Sequence, residues 1–291
     1  MKKIILLFSL TIFLTSCADE HSKIATIEYQ NYIILSDLSS RIDNKPSKDI
    51  EEIHNILERF KNEIVKPGEK IGDKSSISFS TFSSKSITEI DISKIKNLGE
   101  KQQFINSTGK YKNEGFKEKL IDFEKIVEDT YLKNKNQGLD LISVLIDKID
   151  NGSIIKHDKK ISDGVNSKII KYDNHIYIFT DGYLEYLNKN VNSQYYFGIN
   201  EIDKIRQYCQ AKKIDVEKAL KSDKTLGLPT NKTKVNKLIN LHILETQERD
   251  KDDKLQTYTY PKGLRDNEIL EAVWRKWSTE SGFKSFDWKK Y

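Results

Sequence analysis

Three apolar runs, each ending in polar residues, constrain the fold of this chain more than any other feature. They are NYIILSD (31–37), HIYIFTDG (175–182) and KLINLHILET (237–246). A strand that is buried on both faces reads as a continuous apolar run, and such strands occur in parallel sheets covered by helices. The runs therefore predict the central strands of a mainly parallel sheet.

Amphipathic helices are predicted between and after these strands. In the segment 44–64, Asn44 is a candidate cap, and apolar residues recur three and four positions apart until Pro67 ends the pattern. The same spacing predicts helices over 116–132, 139–149 and 267–281. Alternating strands and helices are typical of an α/β domain.

Two shorter segments, 76–82 and 86–92, alternate between apolar and polar residues and predict a hairpin that adds an antiparallel edge strand. Residues 150–173 are rich in Lys, Asp and Ser and predict an insertion or loop. Neither a repeat nor a linker rich in Pro or Gly divides the chain. We therefore expect one α/β domain over 30–291, with a doubly wound, mainly parallel sheet in three layers.

Polar residues stand where the predicted strands end. Asp37 and Ser39 follow the first apolar run, Asp181 follows the second, and Asp140 opens the predicted helix at 139–149. Ligands of open α/β sheets bind beyond the carboxyl ends of the strands, so these loops are expected to converge. Carboxylate and hydroxyl oxygens suit a hard cation, which predicts Mg²⁺ or Mn²⁺. Taken singly, each motif also has a structural role as a helix cap or turn.

In this order the motifs resemble a von Willebrand factor type A domain, a doubly wound fold with a metal-ion-dependent adhesion site. That family has Asp-x-Ser-x-Ser after its first strand, a Thr before a central helix, and an Asp in a Thr-Asp-Gly-like turn. The resemblance covers roughly residues 31–281. It implies that Asp37, Ser39 and Asp181 are metal ligands, with Thr180 beside the last of them.

Two positions depart from the pattern of the family. Arg41 stands where the second Ser is expected, and Leu139 stands where the Thr is expected, with Asp140 beside it. Two strand-end aspartates in one pocket require a positive charge between them. Arg41 supplies that charge if its guanidinium points inward. Otherwise Asp140 or Ser40 completes a Mg²⁺ shell together with water, and the sequence leaves both alternatives open.

The N-terminus predicts a lipoprotein. Two lysines precede the apolar segment 4–13, which is too short to span a bilayer. The motif LTSC that ends at Cys17 resembles a bacterial lipobox, so we expect 1–17 to be the signal peptide with its lipobox and Cys17 to carry lipid. Residues 18–29 are polar and predict a tether. The expected location is the cell envelope, at the outer membrane of a Gram-negative bacterium.

Composition argues against several other functions. The chain has 49 Lys and Arg against 44 Asp and Glu, and only six of the basic residues are arginines. Basic and acidic residues alternate along the chain, which predicts a solvated surface and no nucleic-acid partner. The five histidines show no pair at the spacing of zinc ligands. Sequence motifs of a P-loop or of a serine nucleophile elbow are absent.

Together these observations predict a binding module and not an enzyme. A membrane-anchored domain would present its top face to a protein partner, whose acidic side chain would complete a metal shell or pair with Arg41. Four tyrosines near the second strand end are candidates for the rim of that face: Tyr183, Tyr186, Tyr195 and Tyr196. One alternative is a structural or assembly lipoprotein with a lapsed, metal-free site. A further alternative is a metal-dependent hydrolase of phosphate esters.

Overall fold

The computed structural model describes most of the chain after residue 24. The described residues are 25–38, 46–69, 74–84, 86–133, 138–151, 154–162, 167–186, 194–252, 254–260 and 262–290. The chain divides into two compact units: a larger one of Glu28–His157 and Tyr172–Tyr291, and a smaller one of Met1–Ile27 and Asp158–Lys171.

Strands and helices alternate along the described part of the chain. The strands are β1 (Ala25–Ser36), β2 (Ser76–Thr81), β3 (Thr88–Asp91), β4 (Lys159–Ser162), β5 (Ser167–Thr180), β6 (Ile239–Glu245), β7 (Lys251–Asp252), β8 (Thr257–Tyr258) and β9 (Ser285–Lys290). The helices are α1 (Pro46–Arg59), α2 (Leu98–Ile105), α3 (Phe116–Lys133), α4 (Leu141–Asp150), α5 (Ile199–Lys212), α6 (Val216–Ser222) and α7 (Asp266–Ser281). A π-helical segment, Phe60–Val65, continues α1.

The central sheet has the strand order β3-β2-β1-β5-β6-β9, and β4 pairs with the first part of β5. The pairs β1/β2, β5/β6 and β6/β9 are parallel. The short strand β3 runs antiparallel to β2 at the edge, as the alternating segments predicted. This mixed, mostly parallel sheet with helices confirms the predicted α/β fold class.

Two apolar cores lie on the two faces of the sheet in the larger unit. Successive side chains of a strand point to opposite faces. On β5, Ile176 and Ile178 belong to the core that also contains the buried residues of α4, α5 and α7. Tyr177 and Phe179 belong to the core that contains those of α1 and α3. The strands are therefore covered on both sides, which explains why their sequences read as continuous apolar runs.

The structure adds elements that the sequence did not predict. Helices α2 and α6 have only eight and seven residues, too short to show a helical period. Strand β9 follows the helix that was expected to close the domain, and its four lysine or polar positions in SFDWKK mask the alternation of Phe286 and Trp288. Among the described residues, none of the helices is long and apolar enough to cross a membrane.

The smaller unit contains an antiparallel ladder in the region that was expected to be an insertion or loop. Residues 159–162 pair with 167–170, at the start of β5. The sequence KKIS of β4 has a single apolar residue and is exposed throughout, so it carries no burial pattern from which a strand could be predicted. Strand β1 also begins at Ala25, within the segment 18–29 that was expected to be a tether.

Candidate functional site

The ends of β1 and β5 meet at the carboxyl edge of the sheet. The backbone N–H of Asp37 donates to the carbonyl of Phe179 at 2.9 Å. The next strand along the sheet joins the same edge, because the N–H of Thr246 donates to the carbonyl of Thr180 at 3.0 Å. The structure thus brings the predicted Asp37 and Asp181 segments together and adds the segment after β6 to them.

The Thr180-Asp181-Gly182 turn is fixed by its own side chains. The hydroxyl of Thr180 accepts from the N–H of Gly182 at 3.1 Å, and Oδ1 of Asp181 accepts from the N–H of Tyr183 at 3.1 Å. Gly182 has φ +86°, and a Cβ there would lie 2.6 Å from the ring of Trp288. Only glycine combines this backbone conformation with this close approach. The turn therefore holds the Asp181 carboxylate in one place.

Arg249 binds the Asp181 carboxylate. Its Nε and Nη2 atoms lie 2.7 and 2.6 Å from Oδ2 of Asp181, and its Nη1 lies 2.6 Å from Oε2 of Glu185. The guanidinium also stacks over the Tyr183 ring, 4.0 Å from its centroid. Burial opposes the charge of Arg249, but the carboxylates of Asp181 and Glu185 outweigh it and raise the pKa of Arg249. A positive charge from Arg249, which the sequence did not predict, therefore contacts Asp181 within the fold.

Asp140 acts as the cap of α4. Its Oδ1 accepts from the N–H of Ser143 at 3.1 Å, and its Oδ2 accepts from the hydroxyl of the same residue at 2.8 Å. The loop before it packs against the loop after β5, because a Cβ on Gly138 would lie 2.4 Å from the carbonyl oxygen of Glu185. Asp140 thus joins the same edge of the sheet as predicted, with both carboxylate oxygens engaged in a local cap.

Four of the predicted site residues lie outside the described residues. They are Cys17, Ser39, Ser40 and Arg41. Their predicted roles in lipidation and in the adhesion-type site stay predictions, as does the assignment of Asp37 and Asp181 as metal ligands.

The described part of this donor set does not fit a divalent cation as it stands. Arg249 and Gln247 already donate to Oδ2 of Asp181 and the Tyr183 N–H donates to Oδ1, so a Mg²⁺ or Mn²⁺ ion at Oδ2 would lie beside the positive guanidinium. Within the described ranges, no group of three or more His, Cys, Asp or Glu side chains is arranged to hold a metal ion. A cation at Asp181 would have to displace Arg249.

Two more arginines extend the charge network beside the site. Arg206 of α5 binds Asp266 at the start of α7, and Asp266 also accepts from the hydroxyl of Tyr183. Burial and this hydrogen bond raise the pKa of Tyr183. Arg265 binds Glu248 in the same way. Three of the six arginines therefore cluster at this edge, a grouping that their sequence positions do not reveal.

Glu245 ends β6 beneath this network. Its Oε2 accepts from Nε1 of Trp288 at 2.8 Å, while its buried Oε1 has no hydrogen-bond partner in the described part of the chain. Burial raises the pKa of Glu245 to about 7, against the smaller opposing effects of Trp288 and Lys290. The carboxyl group of Glu245, at the edge of the sheet, therefore has a pKa near neutral pH.

Two histidines pair across the sheet, although their sequence positions show no motif. Nδ1 of His175 lies 3.0 Å from Nε2 of His242, and Nε2 of His175 lies 3.1 Å from Oδ2 of Asp173. The parallel register of β5 and β6 brings the two rings together. Burial, together with a smaller contribution from the neighbouring His175, lowers the pKa of His242 to about 4. Sequence spacing could not find this pair, because 67 residues separate its members.

Comparison with known proteins does not identify the chain. No protein-family model matches it, and no curated protein sequence is significantly similar to it. The function must therefore be argued from the geometry of the site.

Proposed function

We propose that the chain is a membrane-anchored binding module, similar to a von Willebrand factor type A domain, that engages a protein partner without a metal ion. The contact between Arg249 and Asp181, at 2.6 and 2.7 Å, carries this proposal. A guanidinium replaces the positive charge that an adhesion-type site obtains from a cation. The lipid anchor at Cys17 is part of the proposal.

Differences in exposure define how a partner would bind. The side chain of Asp181 is 6% exposed and that of Glu185 is 32% exposed, although both bind Arg249. Asp181 therefore positions the guanidinium, whereas Glu185 is accessible to exchange. An acidic side chain of the partner would take the place of Glu185 at Nη1 of Arg249, through a charge-assisted hydrogen bond. This keeps an acidic group as the expected contact and makes Arg249 the donor that binds it.

The metal-dependent alternative is tested by calorimetric titration of Mg²⁺ and Mn²⁺ into the purified chain. We expect no saturable heat for the native protein. Saturable binding that disappears in Asp181→Asn would contradict the proposal and restore an adhesion-type metal site.

The binding surface is tested by capture of partners from detergent extracts of the source membrane, with and without a chelator. We expect capture that survives the chelator, is lost in Arg249→Gln and is strengthened in Glu185→Gln, because the exchangeable competitor is removed. Arg275→Gln is the matched control, since Arg275 is an exposed arginine paired with Glu271 on α7. Equal capture by both arginine variants would show that the partner binds elsewhere.

A further inference from the structure

The smaller unit carries a lysine-rich hairpin. Lys168 of β5 lies directly opposite Ile161 of β4, and Lys159 lies two positions earlier on the same strand as Ile161. Because paired residues share a face and alternate residues along a strand share a face, these three side chains lie together. Lys160 and Lys171 supply positive charge to the other face. We call the surface of Lys159, Ile161 and Lys168 the hairpin face.

The four lysines of the hairpin have no carboxylate partner among the described residues. All four lysines are exposed, and Ile161 is 47% exposed between two of them. In the described ranges, none of these four lysine side chains forms an ion pair or a side-chain hydrogen bond. By contrast, Lys284, Lys289 and Lys290 each bind a carboxylate. Within the described residues, the hairpin face thus combines lysines that form no ion pair with one exposed apolar side chain.

The position of the hairpin along the chain indicates which surface it meets. Residues 25–27 belong to the same compact unit as Asp158–Lys171. Ala25 stands only eight positions after Cys17, the predicted lipidation site. Eight residues span at most about 27 Å when fully extended. A lipid on Cys17 therefore keeps the hairpin unit within reach of the membrane surface.

We propose that the hairpin face binds the anionic phospholipid headgroups of the membrane in which Cys17 is anchored. Lys159 and Lys168 would contact lipid phosphates, and Ile161 would insert at the level of the headgroups. Each lysine at an anionic surface strengthens binding about fivefold, which is too little for a free hairpin. The anchor raises the effective concentration of the hairpin at the membrane, so that weak contacts suffice. The inference rests on the membrane anchor of the proposed function.

The test uses the full chain, purified in detergent and reconstituted into vesicles. One set of vesicles contains phosphatidylethanolamine and phosphatidylglycerol, and the other contains phosphatidylcholine alone. The readout is the rate of trypsin cleavage after Lys160, which is present in every variant. We expect cleavage about tenfold slower on the anionic vesicles, with the difference abolished by high salt because the charges are screened.

Two double variants make the test specific. Lys159→Gln/Lys168→Gln should be cleaved at nearly the same rate on both kinds of vesicle, because the two lysine contacts that slow cleavage are lost. Lys204→Gln/Lys218→Gln removes the same charge from exposed positions on α5 and α6 and should keep the protection. Equal cleavage of the native chain on both vesicles, or protection that survives in the hairpin variant, would overturn the proposal.

The outcome also separates failure of the anchor from failure of the hairpin face. If the chain does not sediment with either kind of vesicle, the anchor fails, and the proposal fails with it. If the chain sediments but Lys160 is cleaved equally on both, the anchor stands and the hairpin face is refuted. Neither result bears on the contact of Arg249 with a partner, which the capture experiment measures separately.

Discussion

The buried carboxyl group of Glu245 should make the stability of this protein depend on pH, and Glu245→Gln tests that dependence. The side chain is 2% exposed, and one of its oxygens accepts from Trp288 at 2.8 Å. Burial raises its pKa from 4.5 to about 7. A glutamine keeps an acceptor for the Trp288 indole and has nearly the same shape, but it cannot ionise.

The direction of the effect depends on the pH at which the folded chain and the unfolded chain each lose the proton of Glu245. Below pH 4.5, Glu245 is protonated in both the folded and the unfolded chain. Between pH 4.5 and about 7 the unfolded chain loses the proton while the folded chain keeps it, so the free energy of unfolding falls as pH rises. A rise of 2.5 units, from 4.5 to about 7, corresponds to about 3 kcal/mol at 1.36 kcal/mol per unit.

The assay is urea denaturation of the native chain and of Glu245→Gln across this pH range. In the difference between their unfolding free energies, the contributions of all titrating groups that both proteins share cancel. We expect it to change by about 3 kcal/mol in favour of the variant as pH rises from 4.5 to above 7. Glu271→Gln, at a partly exposed position on α7, should show no comparable trend. A pH-independent difference for Glu245→Gln would mean that the carboxylate ionises normally in the fold, which would refute the reasoning.

Three further predictions concern other buried contacts. Arg249→Gln should lower the unfolding free energy by about 3–5 kcal/mol, because it leaves the buried Asp181 carboxylate without a charged partner; in a denaturation cycle, adding Asp181→Asn should recover part of that loss, and strict additivity would contradict a direct pair. His242 has a pKa of about 4 against an ordinary 6.5, so its contribution to stability is lost as pH falls through this range; His242→Gln should flatten that part of the pH profile, and an unchanged slope would argue against it. Trp274→Phe should cost about 1–3 kcal/mol, because the carbonyl of Gly182 loses the buried indole donor at 2.9 Å; a loss under about 0.5 kcal/mol would show that another donor replaces it.

The layout of the sheet could be predicted because it depends on patterns that are local in the chain. Ile176, Tyr177, Ile178 and Phe179 are consecutive apolar residues, and the structure divides them between two cores. Only a strand covered on both faces requires such a run. The strand β4 has no such requirement, because every one of its residues is exposed. β4 forms because it pairs with the neighbouring part of β5, and the sequence of β4 alone does not indicate that pairing.

The candidate site was predictable only in part, for a related reason. Asp37, Asp140 and Asp181 stand at ends of elements, and the order of the elements places those ends at one edge. Arg249 lies in the turn after β6, within the polar sequence QERD, which is indistinguishable from a solvated loop. Its contact with Asp181 spans 68 residues and depends on the direction in which that turn leaves the sheet. No spacing rule supplies this direction.

A positive charge does contact Asp181, but Arg249 supplies it, and the expected charge between Asp37 and Asp181 stays a prediction. A carboxylate as buried as that of Asp181 needs a compensating positive charge, and the fold supplies it through Arg249. A guanidinium differs from a metal ion in one respect that matters for binding. It is covalently part of the chain, so its charge does not depend on the concentration of free cations, and its remaining contact with Glu185 is open to exchange. The affinity of a partner that competes with Glu185 would therefore depend on the negative charge of the partner and on salt concentration, and not on the supply of metal. For this reason, the chelator and the Glu185→Gln variant together discriminate between a guanidinium site and a metal site.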